Sequence, residues 1–276
     1  MTASDTRRIV VALDASDDSL AALQAASKLA ADLQAELLGL FVEDINLLRL
    51  AELPVAREVV YASRSARALD LSRLERALRM QAAELERALA NAAETTNVRW
   101  SFRVARGHVA TEVLATAEEA DMLVLGRIGR SPSRRAGLGS TAHAAAEASC
   151  TVVLLERGVS LGRRVVVLFD GSEGAVRSLA TAARLAGENE QDLIVAICDQ
   201  DSQGSNRLRA QSRDWLREQG RQARFRSVDR RAASLIDIVR QERAQVLLVA
   251  ADHPLAQRKT LPDLLNKSRC VVVLVR

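Results

Sequence analysis

The segment RRIVVALDAS at Arg7 to Ser16 returns as RRVVVLFDGS at Arg163 to Ser172, so this 276-residue chain holds one structural unit twice. ADMLVLG (Ala120 to Gly126) aligns with AQVLLVA (Ala244 to Ala250), and SCTVVLLE (Ser149 to Glu156) aligns with RCVVVLVR (Arg269 to Arg276). The three offsets fall from 156 to 124 to 120, so the second copy lacks 32 residues between its first and fourth strands and four more in the loop after the fourth. Arg157 to Gly162 (RGVSLG), with two glycines and no periodicity, reads as the linker. The expected domains are therefore 1–157 and 163–276, consistent with roughly 150 residues per domain.

Within each copy, short β-branched runs alternate with helical patterns, which signals parallel strands joined by crossover helices. The expected strands of the first copy lie near 8–13, 36–42, 98–105, 121–126 and 151–156, with helices near 17–33, 66–96, 109–119 and 140–148. Those of the second lie near 164–169, 192–198, 223–228, 246–250 and 271–275. The fold class is α/β: two tandem doubly wound domains, each a five-stranded parallel sheet with helices on both faces. The last strands, TVVLLE and VVVLVR, are almost continuously apolar, and a bare sheet edge of that kind is an aggregation hazard. Two covers remain open: the matching strand of the other copy, which makes a pseudo-dimer within one chain, or each copy's own helices.

Several classes are excluded. The longest apolar runs are strand-sized, far short of the roughly 20 residues of a membrane span, and the opening MTASDTRRIVVALD lacks a signal peptide's long apolar core, so the expected compartment is the cytoplasm. Cys150, Cys198 and Cys270 are too few and too scattered for a disulfide framework. Lys and Arg number 39 against 35 acids, and only seven residues are aromatic, so neither a strong basic field nor a base-stacking platform for nucleic acid is expected.

Glycine clusters in one place. Of 13 glycines, four fall between Gly126 and Gly139, in GRIGRSPSRRAGLGS, which runs from the end of a strand into a helix beginning at Ser140. A strand, a glycine-rich loop and a helix N-terminus make an anion site, because amides approach closely and the helix dipole favours phosphate. Ser140 has the residue type of an N-cap. A loop that merely turns the chain is the other reading. No lysine follows the last glycine, so this is not a Walker A loop, and GxGxxG is absent.

Gly126, Gly129, Gly139 and Ser140 satisfy G-x2-G-x9-G-S, and with IVVALDAS, VARGHVATEVLATAEEADMLVLG and GSTAHAAAEASCTVVLLE they make the first copy resemble ATP-binding universal stress proteins. The second copy resembles them more thinly, so the chain looks like a tandem member of that family. The resemblance implies a 3-2-1-4-5 strand order in each domain. It further implies that Asp14, at the tip of the first strand, meets the ribose, and that Val42, just after the second strand, reads the adenine edge with its backbone. Gly126, Gly129, Gly139 and Ser140, with Thr141 beside them, hold the phosphates of ATP or AMP, with or without Mg2+. Arg127, Arg130, Arg134 and Arg135 lie in the loop, either neutralising outer phosphates or as solvated charges. Asp14 as a residue that only prepares the first helix is the plainer alternative.

The second copy replaces these positions with Ala250, His253, Lys259 and Thr260 while keeping Asp170, so one nucleotide site per chain is expected, in the first domain. The first copy alone carries the insertion from Glu43 to about Arg67, either a lid or partner-docking surface or a segment packed for stability. Asp14, Asp17 and Asp18 are the only acids near the expected phosphates. His108 and His143 read as surface or packed histidines rather than bases, and no metal cluster is visible. The expectation is a stress-response regulatory module with little or no hydrolysis. A slow ATPase and a nucleotide-free interaction scaffold are its rivals. An ATP pyrophosphatase is remote, because DASDDS lacks the glycines of an SGGxDS-type loop. The protein partner, and whether two chains associate further, stay open.

Overall fold

The computed structural model describes residues 7–60, 65–127, 140–198, 202–229, 231–257 and 259–276, and the side chains of 58–60, 65–67, 140–143 and 202 are not described. In chain order the first half contains β1 (Arg8–Leu13), α1 (Asp17–Leu33), β2 (Glu36–Asp44), α2 (Ile45–Ala51), β3 (Arg57–Val60), β4 (Ser65–Ala68), α3 (Leu71–Thr96), β5 (Trp100–Gly107), α4 (Val109–Ala117), β6 (Met122–Gly126), α5 (Ser140–Glu147) and β7 (Thr151–Leu155). The second half contains β8 (Val165–Phe169), α6 (Glu173–Leu185), β9 (Leu193–Cys198), α7 (Ser202–Glu218), β10 (Arg224–Val228), α8 (Ala232–Gln241), β11 (Val246–Ala250), α9 (Leu261–Lys267) and β12 (Val271–Val275).

Ten of these strands form one sheet, ordered β10-β9-β8-β11-β12-β7-β6-β1-β2-β5. Every neighbour pair is parallel except β7 and β12, which run antiparallel with Leu154 opposite Val272, Val153 opposite Val273 and Val152 opposite Leu274. The apolar last strands thus cover each other at the middle of the sheet. Val153 and Val273 are the residues that the sequence alignment of the two expected copies matches, so this ladder is centred on a like-with-like pair.

The alternation of strand side chains divides the apolar residues between two cores. Ile9, Val11 and Leu13 face one layer with α1, α3, α6 and α7, while Val10 faces the other with α4, α5, α8 and α9. Helix α1 packs through Ala22, Leu23, Ala26 and Ala30, and the three alanines let it lie close to the strands. Its start is fixed by Ser16, whose Oγ accepts the Ser19 N–H at 3.1 Å, and by Asp17 and Asp18 at the positive end of the dipole.

Helix α3 begins at Leu71 rather than near 66, because Asp70 caps it by accepting the Arg73 N–H at 2.7 Å and the preceding residues form the β3–β4 hairpin. The insertion is therefore α2 plus that hairpin. Asp44 ends β2 and caps α2 at once, with Oδ1 accepting from the Asn46 N–H at 2.9 Å, so the insertion leaves the sheet at the carboxyl end of β2. Its α2 packs on α3 through Leu48, while Leu47, Leu50, Leu53 and Val55 stay exposed.

Candidate functional site

The carboxyl ends of β1, β2 and β6 are neighbours: the chain runs from β1 through β2 to β5 on one side, then crosses back from β5 to β6 on the other side of β1. Ligands collect at such a switch point in doubly wound sheets. The β1–β2 ladder closes with Leu13 opposite Phe41, so Asp14 emerges beside Val42. Val42 lies inside β2, opposite Ala105 of β5, and not just after the strand as the sequence suggested. The strand runs two residues further because β5, longer than β1, continues to pair with it as far as Asp44.

Asp14 is held in a defined turn. Its Oδ1 accepts from the Ser16 N–H at 3.0 Å and from the Ser16 hydroxyl at 2.5 Å, and its own N–H donates to Ser19 Oγ at 3.3 Å. From α3, Gln81 Nε2 donates to the Asp14 carbonyl at 2.9 Å. Ala15 sits in the left-handed region at φ 58°, where a non-glycine residue carries strain, while the equivalent position of the second half is Gly171 at φ 83°. The sequence singled out neither the Gln81 brace nor the Ala15 conformation; a helical stripe reveals which residues face inward, not which amide reaches a neighbouring loop.

Gly126 ends β6 against the first turn of α1. A Cβ there would lie 2.8 Å from the Asp18 carbonyl carbon and 2.8 Å from the Ser19 nitrogen, both backbone atoms. The glycine is thus required by the protein's own packing, whatever the ligand. The second half solves the same contact in reverse: Ala250 carries the methyl, and Gly174, at the place of Asp18, gives it room.

Around this point the charges are committed. The Arg157 N–H donates to Asp18 Oδ1 at 2.9 Å, and its guanidinium pairs with Asp17. At the end of β2, Glu43 is nearly buried and accepts from Arg106 Nε at 2.8 Å, with Glu75 of α3 3.6 Å from the same guanidinium. His108, at the N-cap of α4, has Nδ1 3.4 Å from the Asn46 amide. Among the described residues no group of three or more His, Cys, Asp or Glu side chains could hold a metal ion.

Arg127 departs from what the sequence suggested. It is not a solvated charge: its side chain is 4% exposed and is taken up by the second half of the chain. Nη1 donates to the carbonyls of Leu265 and Ser268 at 3.0 and 2.6 Å, and Nη2 to Ser268 Oγ at 3.3 Å and to the Cys270 carbonyl. Its place is set by β6: the Arg127 N–H still donates to the Leu155 carbonyl at 2.7 Å, continuing the strand ladder, so the residue belongs to the sheet end and not to the loop.

Gly129, Gly139, Arg130, Arg134 and Arg135 lie outside the described residues. Ser140 and Thr141 open α5, as the sequence implied for the helix, while their side chains are outside the description.

The equivalent corner of the second half is filled by its own side chains. Asp170 Oδ1 accepts the Ser172 N–H at 3.0 Å, as Asp14 does for Ser16. His253, 8% exposed, accepts the Leu255 N–H on Nδ1 at 3.1 Å, and its Nε2 is 3.9 Å from Asp170 Oδ2. The Asp252 carboxylate lies over the first turn of α6, 2.5 Å from where a Gly174 Cβ would be. An anion thus already rests at that helix start.

The profile of the universal stress protein family matches residues 5–156. Comparison with curated proteins finds no match. Among solved structures, a universal stress protein from Archaeoglobus fulgidus DSM 4304 superposes with a TM-score of 0.73 at 16% identity, covering 99% of each chain. The cytoplasmic domain of a prokaryotic cation chloride cotransporter gives a TM-score of 0.51 at 11% identity, covering 98% of this chain and 95% of its own. A universal stress protein in complex with cAMP is 22% identical, with a TM-score of 0.40, covering 56% of this chain and 100% of its own. At these identities the first two likenesses are of fold alone. No helix among the described residues is long and apolar enough to cross a membrane.

Proposed function

The chain belongs to the universal stress protein family, and from that premise we propose that it is a stress-response regulatory module that binds one adenine nucleotide in its first half and turns it over slowly or not at all. In this reading the chain is two tandem domains, 1–157 and 163–276, each with its strands in the order 3-2-1-4-5, paired through their last strands. The nucleotide is ATP or AMP. Asp14 accepts from the ribose hydroxyls, the Val42 backbone reads the adenine edge, and Gly126, Gly129, Gly139, Ser140 and Thr141 line the phosphates. The cytoplasm is its compartment.

The observation that carries the reading is the emergence of Asp14 beside Val42 at the switch point, with the chain after β6 leading into the N-terminus of α5. The Ser16 contacts orient the carboxylate before any ligand arrives, which lowers the cost of binding. Asp17 and Asp18 are both taken up by Arg157, so Mg2+ would come with the phosphates rather than be held by a protein cluster. The same pairing leaves those two acids unsuited to activate water, which favours binding over hydrolysis. In the second half, Asp252 and His253 occupy the corner that a nucleotide would need, which supports a single site per chain.

Denaturing the purified protein and identifying the released nucleotide tests the proposal, together with calorimetric titration of the stripped protein with ATP and AMP. One adenine nucleotide per chain is expected. Absence of both carried and added nucleotide favours the interaction scaffold instead, and phosphate release abolished by Asp14→Ala favours an ATPase.

A further inference from the structure

We propose that two copies of this chain pair through β5, the outer strand of the first half, in an antiparallel contact across a two-fold axis centred on Phe102. The contact uses none of the residues assigned to the nucleotide and does not depend on that reading.

Strand β5 ends the sheet as an open edge. It runs for 8 residues, and among the described residues its strand neighbour is β2 alone. The Leu37 N–H donates to the Arg99 carbonyl at 2.9 Å, so the odd-numbered residues of this stretch turn their backbone groups to β2, while Trp100, Phe102 and Val104 turn theirs outward. The side chains of these three share one face. Phe102 packs there on the core, while Trp100 and Val104 are 37% and 48% exposed. A long apolar edge of this kind is a template for another strand.

The opposite end of the sheet is closed to such pairing. Ladders lead from Val11 through Gly39 to Phe102, and from Val167 through Val195 to Phe225. Val11 and Val167 match in the sequence repeat, so β5 and β10 correspond residue by residue. Ala223 and Ser227 stand in the places of Trp100 and Val104, and Arg224 in the place of Ser101. Strand β10 is 5 residues long, its Arg224 and Arg226 pair with Glu242, and the guanidiniums of Arg209 and Arg213 lie 6.0 and 5.2 Å from the Phe225 ring. Two β10 strands laid antiparallel about Phe225 would set Arg224 against Arg226 of the second copy. Two β5 strands laid the same way about Phe102 set Ser101 against Arg103, Phe102 against Phe102 and each Trp100 against Val104. Aromatic and aromatic–β-branched pairs are favourable across strands, whereas like charges are not. A slip of one residue in either direction would set Arg103 against its own copy or against Arg99, and pairing β5 with β10 would set Arg103 against Arg224. The charges thus select the strand, the register and a closed two-fold contact in place of an open filament.

The test uses the full chain. Sedimentation velocity across a range of micromolar concentrations gives the mass, hydrogen exchange at the two ends of that range gives the place of contact, and thermal melts report folding. The expected result is a dimer of twice the 30.0 kDa chain, with slower exchange of the Phe102 and Val104 amides at the higher concentration. Ser101→Arg, which copies Arg224, should raise the dimer dissociation constant about tenfold or more. Adding Arg103→Glu to Ser101→Arg should restore the dimer, because opposite charges then face each other, a rescue that a mere folding defect would not show. A wild type that stays monomeric overturns the proposal, as does growth beyond the dimer. A dimer whose β5 exchange is independent of concentration, or a folded Ser101→Arg that associates as well as the wild type, overturns it too. The exchange measurement needs no variant, so poor folding of Ser101→Arg does not spare the proposal.

Discussion

Val153 faces Val273 at the middle of the ten-stranded sheet, two residues from equivalent places in the repeat, both 2% exposed. Each lies in the core shared by α1 and α6, so trimming one leaves a void where neither half can close it alone. Val273→Ala should lower stability by about 2 kcal/mol, and Val153→Ala by a similar amount. Because the two touch, the double variant should deviate from the sum. Urea unfolding at constant m-value is the measurement, and a change near zero would show that the seam is loosely packed.

Gly126→Ala places its methyl against the backbone of Asp18 and Ser19, which cannot swing aside as a side chain can. Strain of about 1–3 kcal/mol is expected, with weaker ATP binding as α1 and β6 move apart. Substituting Asp18→Gly in the same chain recreates the arrangement of Gly174 and Ala250. It should recover part of that loss in a denaturant melt, even though it removes the Asp18 contact with Arg157.

Asp14→Asn keeps an oxygen for the Ser16 turn while removing the charge. The melting temperature should stay within a degree or two, while ATP affinity falls about tenfold or more, the loss of one charged hydrogen bond of about 1.5–3 kcal/mol. Isothermal titration separates the two effects. Unchanged affinity would mean that Asp14 serves only the approach to α1.

Cys270 gives a pH signature. Burial pushes its thiol from 9.0 up to about 11, with Arg127 pulling the other way. The folded chain therefore keeps this proton more tightly than the unfolded chain. Its contribution to stability is complete below about pH 9 and is lost as pH rises toward 11, on the order of 2 kcal/mol. Cys150 is raised by burial too and adds in the same direction. Urea midpoints measured from pH 8 to 11 should fall, and Cys270→Ala should make the fall shallower.

The parts of this molecule written locally were legible in advance. The expected strands lie within a few residues of all ten in the main sheet; the inner ones were legible because a strand buried on both faces must be apolar throughout, whereas the edge strands β5 and β10 carry arginines and are only partly buried. The repeat offered the facing of TVVLL and VVVLV as one of two covers for those strands. Asp14 could be placed at a strand tip because the apolar run stops there. The hairpin of β3 and β4 was not legible, since its flanking apolar and charged residues fit a helical stripe equally well; only Asp70 as a cap marks the true start of α3. Arg127 was misplaced for a different reason. Its partners lie 138 to 143 residues away, and no local pattern reports a contact of that span.

The seam between β7 and β12 is closed by strands of the same polypeptide, tied by Arg157 to Gly162. Two separate chains meeting in this way would part on dilution, since their association follows mass action. Here the tether supplies a fixed local concentration that no amount of added buffer reduces. The pairing of the halves should therefore persist at nanomolar protein, and it allows them to diverge in sequence without either one losing its mate.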